Sequence, residues 1–103
     1  MKINEPTLKK AISIFGSTRQ MVMLFEEMAE LQKEICKNFR GQQNKEHIIE
    51  EYADVLIMLK TIQIFLYIDD DEIQKMIDFK LDRLEETIKN HRTNKFHWIP
   101  SEV

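Results

Sequence analysis

Two acidic strings, each within a long segment of helical pattern, contain the residues of this sequence that could do chemistry. They read F-E-E-M-A-E-L and, further along the chain, E-E-Y-A-D-V-L. Each string holds two acids three residues apart, Glu27 with Glu30 and Glu51 with Asp54. That spacing puts both side chains on one face of a helix. Two such pairs facing each other would form a cage of carboxylates that needs a cation, and hard oxygen ligands suit Mg²⁺, or alternatively Mn²⁺.

The second pair is the stronger candidate, because its face of the helix continues into apolar residues. Met58 and Phe65 follow Glu51 and Asp54 on that face. Burying carboxylates without compensation is costly, and a bound cation supplies the compensation. The alternative is that these residues are first-turn acids favoured by the helix dipole. Because Asp54 lies beyond the first turn, metal ligation is the favoured interpretation.

For the first pair, the alternative interpretation is a solvated charged face. Lys33 and Lys37 lie at helical spacing from the acids of the first string and would pair with them. The matching pair on the next helix favours the metal site, because adjacent antiparallel helices joined by a short polar loop can bring the two pairs face to face. Taken alone, the first pair leaves both interpretations open.

Four helices are predicted to position these acids. They extend over about Leu8–Phe15, from Ser17 to Phe39, from Asn44 to Tyr67, and from Glu72 to Asn90 or His91. The predicted N-terminal caps are Thr7, Ser17 and Asn44, and the acidic break Asp69–Asp71 is predicted to cap the fourth helix. The predicted terminating glycines are Gly16 and Gly41. The tail 92–103 shows no helical period. We therefore predict a single domain, 1–103, with an all-α, four-helix-bundle-like fold.

The composition agrees with this fold and excludes several classes of function. The 103 residues include two Gly and two Pro, too few for a turn-rich β fold. The net charge of −3, with acids and bases interspersed, offers no basic stripe to nucleic acid. Cys36 is the only cysteine, so an intramolecular disulfide is impossible and a cytoplasmic location is expected. The most apolar stretch, Val55–Ile68, is too short to span a bilayer, so no membrane partner is expected.

The hydrophobic pattern predicts association between copies of the chain. Apolar residues surround nearly the whole third helix, and a helix that is apolar on all sides is buried on all sides. A domain of this length cannot easily bury one helix completely, so we expect the third helix at the interface of a homodimer or homotetramer. The second and fourth helices each have one apolar stripe: Met21, Leu24, Phe25, Met28, Leu31 and Ile35 on the second, and Ile73, Ile77, Leu81, Leu84 and Ile88 on the fourth.

The paired strings resemble the signature of the MazG-like nucleotide pyrophosphohydrolases, E-E-x-x-E followed by E-x-x-D. These enzymes belong to the all-α NTP pyrophosphatase superfamily. The resemblance covers about Gln20 to Ile88 and includes Q-M-V-M-L-F-E-E-M-A-E-L-Q-K-E-I, H-I-I-E-E-Y-A-D-V-L-I-M-L and F-K-L-D-R-L-E-E-T-I. It extends to the short, single-domain members. It implies a MazG-type fold and Mg²⁺-dependent hydrolysis of a nucleoside triphosphate to the monophosphate and pyrophosphate, in a house-cleaning role.

Carried over to this sequence, the resemblance also implies roles for individual residues. The implied metal ligands are Glu27, Glu30, Glu51 and Asp54. Glu26 matches the first acid of the signature and is a further catalytic candidate, as a ligand, through a bound water or by positioning substrate. Which acid accepts a proton from the attacking water stays open. The candidate substrate contacts are Lys80 and Arg83, which match K-L-x-R-L in the short members, together with Lys33 for phosphate and Gln20 for the base or ribose.

Two other functions are kept open at this point. A non-catalytic helical interaction module would explain the apolar third helix and the content of Met and Phe. A phosphoribosyl-ATP pyrophosphohydrolase would share the architecture and act in histidine synthesis. The chain lacks the extra length of the dimeric dUTPases in the same superfamily, which makes that subfamily a poorer match.

Overall fold

The helices of this chain are connected by short non-helical segments in the computed structural model, which describes the backbone of residues 1–94 and the side chains of residues 1–91. Its helices are α1 (Glu5–Phe15), α2 (Ser17–Phe39), α3 (Lys45–Phe65) and α4 (Asp70–Asn94). Residues 1–94 contain no strand, which confirms the predicted all-α class. Helices α1 to α3 lie in one compact unit, Met1–Ile68, and α4 lies in a second unit that begins at Asp69. None of the described helices is long and apolar enough to cross a bilayer.

α1 begins at Glu5, earlier than predicted, because a different residue caps it. The Asn4 side chain accepts a hydrogen bond from the Thr7 backbone N–H at 3.2 Å. Pro6 in the first turn suits this start, since its ring presets a helical φ where no N–H donor is needed. Thr7 therefore lies inside the helix, and its prediction as the cap is wrong.

Gly16 separates α1 from α2, as predicted. Its φ of 82° lies in the region that glycine tolerates. Its N–H closes the last turn of α1 by donating to the Ile12 carbonyl oxygen at 2.8 Å. Gly16 also occupies the capping position of α2, where no side chain makes a cap hydrogen bond. Ser17 is thus the first residue of α2, and its prediction as the cap is wrong.

The C-terminal ends of α2 and α3 both use a residue with positive φ. Gly41, at φ 100°, follows α2 as predicted, and its N–H donates to the Asn38 carbonyl oxygen at 2.9 Å. After α3 the equivalent residue is Tyr67, at φ 56°, whose N–H donates to the Ile64 carbonyl oxygen at 3.2 Å. Both ends satisfy carbonyl groups that have no partner within the helix.

The side of α2 that packs within Met1–Ile68 overlaps the predicted apolar stripe only at one edge, through Leu24 and Leu31. Its buried residues are Gln20, Leu24 and Glu34, and Glu27 and Leu31 are half-buried. The centre of this set is about 70° around the axis from the centre of the stripe, at 100° per residue. Four residues of the stripe are between 43% and 61% exposed: Met21, Phe25, Met28 and Ile35. The apolar face of α2 is therefore largely uncovered.

α3 is only partly covered within the same unit. Met58 and Thr61 are buried, and the Thr61 hydroxyl donates to the Ile57 carbonyl oxygen at 2.8 Å. Large apolar residues elsewhere on the helix are exposed, among them Ile49, Tyr52 and Leu59. A single copy of Met1–Ile68 does not bury α3 on all sides, so the predicted homodimer or homotetramer stays a prediction.

α4 is longer than predicted at both ends. Just before it, the Asp69 backbone N–H donates to Glu72 Oε2 at 2.8 Å, one half of a capping box. The helix continues to Asn94, so residues 92–94 of the predicted irregular tail are helical, and residues 95–103 lie outside the described residues. Its apolar stripe is exposed: Ile73, Ile77, Leu81, Leu84 and Ile88.

Candidate metal centre

Three carboxylates from two helices converge where α2 packs against α3. Glu27 comes from α2, and Glu51 and Asp54, one turn apart, come from α3. One carboxylate oxygen from each of the three lies within 4.8 Å of the other two oxygens. Glu27 and Glu51 are half-buried. The two acidic strings of the sequence therefore do meet, through three of the four acids predicted as ligands.

The convergence changes the acidity of Glu27. Its pKa is raised from 4.5 to about 7, first because the carboxyl group loses contact with water and then because of the charges on Asp54 and Glu51. Side-chain hydrogen bonds with Glu51 and Asp54 raise the pKa further by favouring the protonated form. The raised pKa thus reflects the loss of water together with the negative charge that accumulates at the oxygens of Glu27 and its neighbours. A divalent cation would neutralise that charge as a proton does, so the site favours a bound cation.

The donor set fits Mg²⁺ or Mn²⁺. All three groups offer hard carboxylate oxygens, the ligand type that these ions prefer. The three oxygens, within 4.8 Å of one another, are close enough for Glu27, Glu51 and Asp54 to hold one such ion together after adjustment of their side chains.

Glu30 and Glu26 are not part of this convergent group. Both are exposed. Glu30 lies about 60° around the α2 axis from Glu27, and Glu26 about 100° around it, on the same side. The predicted cage of four carboxylates is therefore a group of three in the described residues. Ligation by Glu30 and a catalytic role for Glu26 stay predictions.

The predicted substrate contacts lie in different surroundings. Lys33 is exposed on α2, whereas Gln20 is 4% exposed and belongs to the packed side of that helix. Lys80 and Arg83 are exposed on α4, in the second unit, where the Arg83 guanidinium lies 5.8 Å from the centre of the Phe79 ring. Their assignment as phosphate contacts stays a prediction.

One polar contact that joins α2 to α3 was not predicted from the sequence. Asn44 occupies the predicted capping position of α3, but its side chain makes no cap hydrogen bond. Its Nδ2 donates instead to the backbone carbonyl oxygen and to Oε1 of Glu34, both at 2.9 Å. The available signal was the spacing, because Glu34 lies seven residues after Glu27 and so on nearly the same helical face.

Comparisons with protein-family models, with curated proteins and with solved structures gave no match for this chain. No family is therefore assigned by similarity, and the function is argued from the motif and from the geometry of the three carboxylates.

Proposed function

We propose that this chain is a Mg²⁺-dependent nucleoside triphosphate pyrophosphohydrolase of the MazG-like type, with a MazG-type fold. It would hydrolyse a (d)NTP to the (d)NMP and pyrophosphate, with Mn²⁺ as an alternative ion. The observation that supports the proposal best is the meeting of Glu27 with Glu51 and Asp54. A solvated-face interpretation gives no reason for acids on two different helices to converge.

The chemistry follows from the charges. Carboxylates alone would repel a triphosphate, and bound Mg²⁺ supplies neutralisation of the phosphate oxygens and a coordinated water of lowered pKa. Glu27, Glu51 and Asp54 hold this charge in place, and the exposed Glu30 and Glu26 lie beside them on the solvent side of α2. One of these five acids accepts the proton of the attacking water.

Cationic side chains complete the proposal. Lys33 on α2 is exposed and would contact the phosphate chain, and Lys80 and Arg83, exposed on α4, are separate candidates for phosphate contact. Gln20 is the weakest of the substrate candidates because it is buried. We place the enzyme in the cytoplasm, where the single, exposed thiol of Cys36 would remain reduced.

Pyrophosphate release from a panel of nucleotides tests the activity. The panel contains standard and non-standard NTPs and dNTPs, together with phosphoribosyl-ATP. We expect turnover that needs Mg²⁺ and stops with a chelator, and preference for non-standard or surplus nucleotides would support a house-cleaning role. Turnover of phosphoribosyl-ATP alone would select the histidine-synthesis alternative. Absence of turnover for every nucleotide at micromolar enzyme would contradict the proposal.

Isosteric substitutions test the assigned site. Glu51→Gln and Asp54→Asn keep the size of the side chain and remove a ligand charge, so we expect each to lower kcat/KM by more than about a hundredfold. Far-ultraviolet circular dichroism should show unchanged helical content. Glu50→Gln is the matched control, since Glu50 is exposed and lies 3.8 Å from the exposed imidazole of His47. Full activity of either ligand variant would remove these residues from the site.

We also propose that the enzyme is a homodimer or homotetramer, because α2 has an open apolar groove. Phe25, Met28 and Ile35 of α2 and Val55 of α3 line it. The same groove favours the second candidate function, a non-catalytic interaction module. Mg²⁺ separates the two. It should raise the melting temperature of an enzyme that binds it only when folded, and it should leave that of an interaction module unchanged.

A further inference from the structure

A buried polar bridge joins α2 to the start of α3. Asn44 Nδ2 donates to two oxygens of Glu34, the backbone carbonyl oxygen and Oε1, each at 2.9 Å. Lys37 Nζ donates to the other carboxylate oxygen of Glu34, Oε2, at 3.2 Å. Glu34 is 8% exposed and Asn44 is 7% exposed. The amide of Asn44 thus binds both the backbone and the side chain of Glu34 on α2. We name this pair of hydrogen bonds the Glu34–Asn44 bridge.

The Glu34–Asn44 bridge carries a cost that an apolar contact would not, and this cost lies mainly with Asn44. For Glu34, the hydrogen bonds from Asn44 and Lys37 outweigh the desolvation of the carboxylate and lower the pKa of that group. Burying the amide of Asn44 costs free energy unless each of its polar atoms has a partner. Asn44 Oδ1 is buried without a hydrogen-bond partner among the described residues. Asn44 also makes no capping hydrogen bond, although it occupies the capping position. An apolar pair of similar volume would fill the same space without these losses.

A buried polar pair between helices has another effect, which is to fix their register. In coiled coils a single polar core residue sets the register at a cost in stability. Apolar side chains tolerate sliding, because they gain similar contacts at several offsets. The two hydrogen bonds at 2.9 Å from Asn44 to Glu34 would break if the helices slid past each other. A slip of one residue translates a helical side chain by about 1.5 Å along the axis and rotates it by about 100° around the axis.

The Glu34–Asn44 bridge lies in register with the carboxylate cluster. Glu34 follows Glu27 by seven residues on α2, and Asn44, the residue immediately before α3, precedes Glu51 by seven residues. Because α2 and α3 run in opposite directions, the step from Glu34 back to Glu27 and the step from Asn44 forward to Glu51 have the same direction in space. Each step of seven residues corresponds to about two helical turns, or 10.5 Å. The pairing of Glu34 with Asn44 therefore implies the pairing of Glu27 with Glu51.

We propose that Glu34 and Asn44 are positioning residues whose bridge fixes the axial register of α2 against α3 and so brings Glu27 opposite Glu51 and Asp54. The inference rests on the proposed function, because it assigns the bridge to the metal centre of that reaction. Neither residue touches substrate or metal. Both act through the helices that present the three carboxylates.

The test replaces the bridge by an apolar pair of similar size, Glu34→Leu with Asn44→Leu, in the full chain. This variant should fold with a melting temperature equal to or above that of the wild type, because it removes buried polar groups. Glu34→Gln is the conservative rescue variant, since its amide oxygen still accepts from Asn44 Nδ2. Gln43→Leu, at an exposed neighbouring position, is the control for added apolar surface.

Register is measured first, without metal. In a Cys36→Ser background, the rate of disulfide oxidation between Glu27→Cys and Glu51→Cys reports how often the two backbones approach at these positions, whose native carboxylate oxygens lie within 4.8 Å of each other. We expect the apolar pair to slow this oxidation at least tenfold and Glu34→Gln or Gln43→Leu to slow it less than threefold. If the apolar pair unfolds, Asn44→Ala, which leaves Glu34 bonded to Lys37, takes its place in the same assay.

Metal binding is measured second, by Mn²⁺ titration of each bridge variant with the native carboxylates in place. A positioning role predicts at least tenfold weaker Mn²⁺ binding in the apolar pair, recovered in Glu34→Gln. Unchanged oxidation rate and unchanged Mn²⁺ affinity in a folded apolar variant would overturn the inference. If the wild type binds no Mn²⁺ while oxidation still depends on the bridge, the proposed function is wrong and the register role is supported.

Discussion

In the metal-free protein, the carboxyl group of Glu27 lies beside those of Glu51 and Asp54. Its protonated form is favoured there, because the group has lost contact with water and because a negative charge on Glu27 would be repelled by the other two carboxylates. Its pKa in the folded chain is about 7, above the ordinary value of 4.5. The folded state therefore binds this proton more tightly than the unfolded state does. The resulting stability is fully present below pH 4.5 and is lost as the pH rises through 7.

Glu27→Gln should consequently stabilise the metal-free protein at pH 8, where the native carboxylate is charged. We expect a gain on the order of 1 kcal/mol in the free energy of unfolding, after allowance for screening by water. The gain should shrink at pH 5, where the native group is protonated. Urea unfolding with a chelator at both pH values measures it, with Glu50→Gln as the exposed control. If Glu27→Gln changed the free energy of unfolding equally at pH 5 and pH 8, the raised pKa of Glu27 would be contradicted.

The same proton competes with a metal ion. Because the proton must leave Glu27 before all three carboxylates can ligate, the affinity for Mn²⁺ should rise as the pH rises toward and past 7. A single proton with a pKa of about 7 predicts about a tenfold gain in affinity between pH 6 and pH 8. Calorimetric titration at the two pH values measures this ratio. Glu27→Gln should bind more weakly and lose the pH dependence, and a pH-dependent Glu27→Gln variant would place the proton elsewhere.

At the scale of helices, patterns that depend on strong local preferences could be predicted from the sequence. The four helices, the two acidic strings and the terminating glycines Gly16 and Gly41 all follow from periodicity or from backbone freedom. The caps were harder to predict, because several polar side chains near a helix start can each accept from a different backbone N–H and so begin the helix at a different residue. Asn4 competes with Thr7 for α1, and the Asn44 side chain is used for a contact between helices.

The orientation of α2 could not be predicted from its apolar stripe. Hydrophobic periodicity assumes that the most apolar face meets the nearest neighbour. Here polar residues lie on the packed side, Gln20 and Glu34 among them, while Phe25 and Met28 remain exposed. The three-carboxylate group lies on that packed side, so the helix is oriented for its polar contacts with α3. For this reason Glu27 belongs to the group and Glu30 does not.

The end of α3 contains a local strain that a single substitution should relieve. Tyr67 adopts φ 56°, a left-handed conformation that is unfavourable for a side chain with a Cβ atom. The following N–H, from Ile68, donates to the Gln63 carbonyl oxygen at 3.0 Å, which completes a Schellman motif. Because Tyr67 is 92% exposed, its ring contributes little packing.

Tyr67→Gly should therefore stabilise the protein by about 0.5–1 kcal/mol. Thermal or urea unfolding followed by circular dichroism measures the change. Tyr67→Ala is the matched control, since it removes the ring and retains the Cβ atom, so it should give no comparable gain. A glycine variant no more stable than the alanine variant would argue against strain at this position.

At the scale of the whole molecule, the uncovered apolar surface needs an occupant. The groove on α2 includes Phe25, which is 61% exposed, and Met28, which is 49% exposed. Side chains of this size lose about 1.5–3 kcal/mol of hydrophobic stabilisation each when left in water. A second copy of the chain would cover the groove on both partners at once, which is the simplest closed arrangement.

The double substitution Phe25→Ser with Met28→Ser should separate the copies without adding charge beside Glu27. We expect the wild type to sediment as a dimer or tetramer at micromolar concentration. The variant loses two apolar side chains from the contact, so its dissociation constant for association should be at least about a hundredfold higher and more of it should sediment as monomer. Phe39→Ser is the matched control, because Phe39 is 70% exposed on the same helix and does not line the groove. Its removal should leave the association constant within about threefold of the wild-type value. A monomeric wild type, or equal effects of both variants, would show that the groove is not the contact between copies, and a partner of different sequence would then be the expected occupant.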